Sequence, residues 1–190
     1  MNRNPKLSHV TCQYIACYRQ ILDTMISGMT EVSLTDSISH NFIVQMIPHH
    51  RAAIEMSENL LRYTTWLPLQ KIAENIIAEQ TKSIADMTDA LNCCSLLQNT
   101  EPAQCQYLQC FHQITQTMFF RMGNACTDNN INGNFLREMI PHHEGAIRMS
   151  ENALRFPICP ELVPILRAII TSQRAGVQEM KCLEQTLCRR

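Results

Sequence analysis

Along nearly the whole chain, apolar side chains recur at spacings of three and four, the period of helices with one buried face. A first helix is expected from about Ser8 to Met29, with Met25 and Met29 one turn apart. Ser33-Leu34-Thr35-Asp36-Ser37 forms a turn with several candidate N-caps and opens a second helix from about Ser37 to Tyr63. Thr64 to Pro68 breaks it, and Pro68 suits the first turn of a third helix, from about Leu69 to Leu97. On that helix Ile76, Gln80, Ile84, Met87 and Leu91 form one stripe. Asn99 to Pro102 separates these helices from three more, which break near 127–130 and 156–160. No stretch reads convincingly as a strand. The fold class is all-α, six helices running up and down through short connections.

The second helix divides cleanly at about 100° per residue. Phe42, Met46, His49, His50, Ala53, Ile54, Met56, Leu60 and Leu61 fall within about 80° of Met46. Arg51, Glu55, Glu58 and Asn59 fall on the far side, facing water. Pro48 removes one amide donor and crowds the carbonyl of Val44, so a kink is expected just before the histidine pair.

This helix returns 93 positions on (46 to 139) as Met139-Ile-Pro-His142-His143, with Met149 and Ser150-Glu151-Asn152 behind it. The first helix returns as well, Cys12-Gln13-Tyr14 being answered by Cys105-Gln106-Tyr107. Gln80 and Met87 of the third helix are answered by Gln173 and Met180. The chain reads as one domain, 1–190, made of two repeats, about 8–97 and about 101–190. Met25, Met29, Met46, Met56 and Met87 are all matched by methionine in the second repeat, whereas filler in a core would let leucine stand for some of them.

Sixteen basic and seventeen acidic side chains nearly cancel, and no basic block stands out, which argues against nucleic acid as a partner. No apolar run approaches membrane-spanning length. Basic residues near the N-terminus are followed by no apolar segment, so a cytoplasmic protein is expected, or an exported one if the chain is trimmed. Ten cysteines are many for a reducing compartment and turn attention to metal or redox chemistry.

Burying two adjacent imidazoles demands partners for both. Neutral imidazole and thioether are ligands that soft or borderline metals accept, Cu(I) above all. A structural core with histidines bonded to carbonyl or water is the alternative.

Phe-x-x-x-Met-Ile-Pro-His-His-x-x-Ala-Ile-x-Met, followed by a helix with Gln80 and Met87 and then by a second His-His copy, resembles the DUF305 family. The resemblance covers about residues 40–91 and 133–181. It implies a ferritin-like four-helix core built from the two motif helices and the two Gln/Met helices, with copper binding in some members. By position, the family motif falls on Met46, His49, His50, Met56 and Met87, and on Met139, His142, His143, Met149 and Met180. Three positions after the glutamine, where the family usually has an acid, this chain has Ser83 and Gly176. The cysteine-bearing helices at 8–29 and 101–122 look like an addition to the family plan.

Up-and-down running would bring Cys93, Cys94, Cys105 and Cys110 to one end of the bundle and Cys12, Cys17, Cys182 and Cys188 to the other. Each group fits a thiolate metal site or a pair of disulfides, against ordinary buried thiols. Cys126 and Cys159 stay outside both groups.

The function expected is a metal-binding protein that sequesters or hands on copper as Cu(I) through these His and Met residues, with zinc and iron left open. A ferritin-like metal-dependent redox enzyme is disfavoured, because Glu55 and Glu58 point outward and no Glu-x-x-His pair recurs in both repeats. The third reading is a helical interaction module without metal. The partner is a metal ion, and a homo-oligomer is left open.

Overall fold

The computed structural model describes residues 6–188, apart from the side chain of Cys188. Among them are six helices and no strand: α1 His9–Thr30, α2 Ile38–Leu61, α3 Leu67–Cys94, α4 Glu101–Gly123, α5 Ile131–Ala153 and α6 Leu162–Cys188. The starts follow local chemistry. Ser8, Ser37 and Asn130 cap α1, α2 and α5, their side-chain oxygens accepting from the amides of Thr11, His40 and Gly133. Pro68 and Pro102 stand in the first turns of α3 and α4, where a missing amide costs nothing. The sequence places the ends less well. α2 stops two residues before Tyr63, because the amides of Tyr63 and Thr64 turn back to the carbonyl of Leu60. α3 stops at Cys94 rather than Leu97.

α2, α3, α5 and α6 form a closed four-helix core, with α1 laid on α2 and α4 on α5. Phe42, Ile43, Leu60, Leu69, Phe135, Leu136 and Leu166 are fully buried in it. Each such side chain contributes about 1.5–3 kcal/mol through the water it leaves. Two asparagines 93 positions apart make the same contact. Asn59 Nδ2 donates to the carbonyl of Tyr14 at 3.1 Å, and Asn152 Nδ2 to that of Tyr107 at 3.1 Å.

Those bonds correct the helical projection, which put Asn59 in water. Covered by α1, α2 is buried on a second flank, and Asn59 is 1% exposed. Its amide supplies the polar link that a purely apolar flank would lack. Arg51, Glu55 and Glu58 do face solvent. α2 runs through Pro48 without interruption. The backbone of α1 passes so close that a Cβ on Gly28 would lie 2.8 Å from the Pro48 ring, so only glycine fits there.

One buried hydrogen bond has no equivalent 93 positions away. Tyr14 Oη donates to Glu138 Oε2 at 2.5 Å, the sole buried carboxyl among the described residues. Burial raises the Glu138 carboxyl to about 7, against the opposing pull of the Tyr14 hydrogen bond and the Arg137 charge. At the matching positions stand Tyr107 and Gln45, and neither Tyr107 Oη nor Gln45 Oε1 has a partner. Tyr14→Phe is therefore expected to cost about 1–3 kcal/mol, whereas Tyr107→Phe costs nothing or stabilises. Urea midpoints that fall equally in the two variants would refute this asymmetry.

Candidate metal centre

The histidine pairs sit halfway along α2 and α5, where the two helices face each other. His49 and His142 stack with ring centroids 3.6 Å apart and planes 26° from parallel. His50 and His143 lie beside them, each centroid 5.9 Å from that of its chain neighbour. All four side chains are buried, none more than 3% exposed.

Their nitrogens are short of partners. His142 Nε2 lies 3.1 Å from the carbonyl of His49, which can only accept, so His142 carries its proton on Nε2 and a bare lone pair on Nδ1. His50 Nε2 meets Ser83 Oγ at 3.0 Å. No partner reaches either nitrogen of His49, or Nδ1 of His50, His142 and His143. A buried polar atom left alone costs about 1–3 kcal/mol, and an array of them calls for an explanation.

Protonation does not relieve it. Burial drives the His142 imidazole down to about 4 and His50 to about 3, the latter also repelled by a charge on His142. Burial likewise holds His49 and His143 well below the ordinary range, reinforced by the neighbouring rings. At neutral pH these are uncharged imidazoles with free lone pairs, the form in which histidine binds metal.

Met46, Met56, Met87, Met139, Met149 and Met180 are all at most 1% exposed and belong to the same apolar core, as do Met25, Met29, Met118 and Met122. Two residues of the stripe on α3 and its counterpart on α6 add polar atoms that the motif does not contain. Gln80 and Gln173 are each 3% exposed, and the Oε1 of each lacks a partner. With His50, Ser83 and Ile169 they line a cavity of about 190 Å³ between α3 and α6, which reaches the surface at Glu79, Lys82 and Asp86. The recurrence of the glutamines at the same offset was the signal in the sequence that marked them. Gly176, the counterpart of Ser83, offers His143 no hydroxyl, and a Cβ there would come within 3.2 Å of the ring.

The cysteines gather differently from the expectation. Among the described residues the one group of three or more cysteines whose sulfurs come together is Cys93, Cys94 and Cys159, all within 4.8 Å of one another. Cys105 is exposed and Cys110 half-buried on α4, and neither joins them, because α4 packs on α5 rather than on the end of α3. At the other end Cys12 and Cys182 are exposed and Cys17 is half-buried, and they form no cluster. The side chain of Cys188 lies outside the described residues. Cys159, set aside by spacing alone, comes in because the loop before α6 folds back over the end of α3.

Comparison with known proteins agrees with this architecture. A solved structure described as "CopM in the Cu(II)-bound form" is similar at 28% identity and a TM-score of 0.60, over 78% of this chain and 97% of that one. A DUF305 fragment from Deinococcus radiodurans is similar in fold, at 20% identity and a TM-score of 0.58, over 78% of this chain and 96% of that one. No curated protein matches the sequence. No helix among the described residues is long and apolar enough to cross a membrane. The family profile of the domain of unknown function DUF305 matches residues 22–91 and 39–184, taking in both histidine pairs and the helices that hold them, and the chain belongs to that family.

Proposed function

We propose that this protein binds copper, held as Cu(I) by the central imidazoles and thioethers, and sequesters it or hands it on. The observation that carries this reading is the set of buried, uncharged, unpartnered imidazole nitrogens on His49, His50, His142 and His143, in a molecule whose core also buries the motif methionines. Neutral nitrogen and thioether donors suit a soft monovalent ion, whose single charge needs little compensation in an apolar site. Met46, Met56 and Met87, with Met139, Met149 and Met180, are the sulfur donors of this proposal. A copper-bound neighbour in the same fold supports the choice of metal. Stacked rings present their in-plane lone pairs side by side, so His49 and His142 must rotate apart to share one ion.

Anaerobic competition for Cu(I) against a chromophoric chelator tests the proposal. Even outer-shell changes cost about 10–100-fold in metal affinity, so removing two ligands in His49→Ala with His50→Ala is expected to cost at least about 100-fold. Unchanged affinity in that variant overturns the assignment. Iron uptake with oxygen consumption would instead support a redox enzyme, and failure to bind any metal would leave a helical interaction module.

A further inference from the structure

A second group of soft donors lies at one end of the bundle, away from the histidines. Cys93 and Cys94 close α3, and Cys159 stands in the loop before α6. The three sulfurs are mutually within 4.8 Å, while bonds of about 2.3 Å from sulfur to a zinc-like ion place three thiolates roughly 4 Å apart. Small side-chain rotations close that gap.

The backbone beneath is already fixed. Ser37 Oγ donates to the carbonyl of Cys94 at 3.0 Å, and the amide of Cys159 donates to Ser39 Oγ at 2.9 Å. One turn of α2 thus anchors both the end of α3 and the loop. Asn99 ties the same corner together, donating from Nδ2 to the carbonyl of Pro157 at 2.7 Å and accepting from the amide of Ile38 at 2.8 Å. Glu161 sits at the rim, its Oε2 accepting from the Cys159 thiol at 2.8 Å.

Packing does not account for the group. The positions 93 away are Trp66, Thr186 and Leu187, none of them a cysteine, so the group is not simply carried by the repeat in the sequence. Cys94 and Cys159 are buried and Cys93 is exposed, which leaves one side open for an ion to enter. A cluster of this kind, pre-arranged and partly open, is what a thiolate metal site needs.

We propose that Cys93, Cys94 and Cys159 bind a soft d10 cation as a tris-thiolate site, with the Glu161 carboxylate as the fourth donor. The site is independent of the copper reading of the central histidines. Three thiols exchange their protons for the metal, and the three protons pass to solvent. No electron changes hands. Burial holds the Cys94 and Cys159 thiols above the ordinary range, so metal has to displace their protons.

Cd(II) titrated into the reduced full-length protein under argon tests the proposal, because thiolates give an ultraviolet sulfur-to-metal band that imidazole and thioether do not. One equivalent should produce a band of three-thiolate intensity. Cys93→Ser with Cys159→Ser should abolish it at that equivalent, while Cys105→Ser with Cys110→Ser should leave it intact. Cys93→Ser alone changes an exposed side chain and leaves the buried thiols in place. It should remove about a third of the band, one thiolate of the three in such a site. A first-equivalent band that survives the Cys93/Cys159 change, or that falls equally in the Cys105/Cys110 control, overturns the assignment. Loss of copper binding at the histidines would leave this result untouched, so the two readings fail separately.

Discussion

The metal-free protein is expected to lose stability steeply as the pH falls from about 6.5 towards 4, the interval between the free and buried imidazole values. In the unfolded chain the four central histidines take up protons near their ordinary value. In the fold they resist, down to about 4 for His142 and about 3 for His50, with His49 and His143 also well below normal. A depressed imidazole stabilises the fold fully above the unfolded value and loses that contribution as acid is added. Each proton bound only by the unfolded chain costs about 1.4 kcal/mol per pH unit. Glu138 works in the opposite sense. Its carboxyl is raised to about 7, so its contribution is complete in acid and fades as the pH rises through that value. Four histidines against one glutamate leave roughly three protons, or about 4 kcal/mol per pH unit at the steepest. Over the roughly 2.5 pH units of that interval the loss reaches about 10 kcal/mol, enough to unfold a domain in the lower half of the usual range of about 5–15 kcal/mol before pH 4. Urea midpoints measured at several pH values, without metal, check this. A midpoint that stays level between neutrality and pH 5 would mean that water reaches the rings.

Copper should raise stability by an amount set by mass action. With free Cu(I) about a thousandfold above its dissociation constant, a site that exists only in the fold gains about 4 kcal/mol. For a chain of this length that is a rise in Tm of about 8–16 °C. Once Cys93→Ser with Cys159→Ser has removed the thiol cluster, which would itself take up Cu(I), the gain should vanish on adding His49→Ala with His142→Ala, which removes the stacked pair and leaves the two outer rings. It should persist in Cys93→Ser with Cys159→Ser, since the thiol cluster lies outside the centre. Protected lone pairs should also blunt the acid transition, because bound imidazoles have no free nitrogen to protonate. Equal thermal shifts in the Cys93/Cys159 variant before and after the histidine changes would place the bound copper elsewhere.

The difference between Tyr14 and Tyr107 shows where sequence reading ran out. Both tyrosines stand at matching positions on an apolar face, and only the partner helix distinguishes them. Glu138 receives one hydroxyl, while Gln45 is turned to the carbonyl of Met29 and leaves Tyr107 alone. Asn59 shows the same limit. A projection of one helix knows a single wet side and a single dry side, but α2 is covered twice, by α1 and by the rest of the core.

The period of apolar residues determined the six helices, and serine, asparagine and proline determined where most of them begin, because these are local preferences acting within a turn or two. The placement of both His-His pairs on an inward face was equally local, for the same reason. Which rings would stack, which nitrogens would lack partners and which cysteines would meet depended on contacts between residues far apart in the chain. Cys159 joined Cys93 and Cys94, and Cys105 did not, because loop anchoring and helix packing act across distances in sequence that no spacing rule covers.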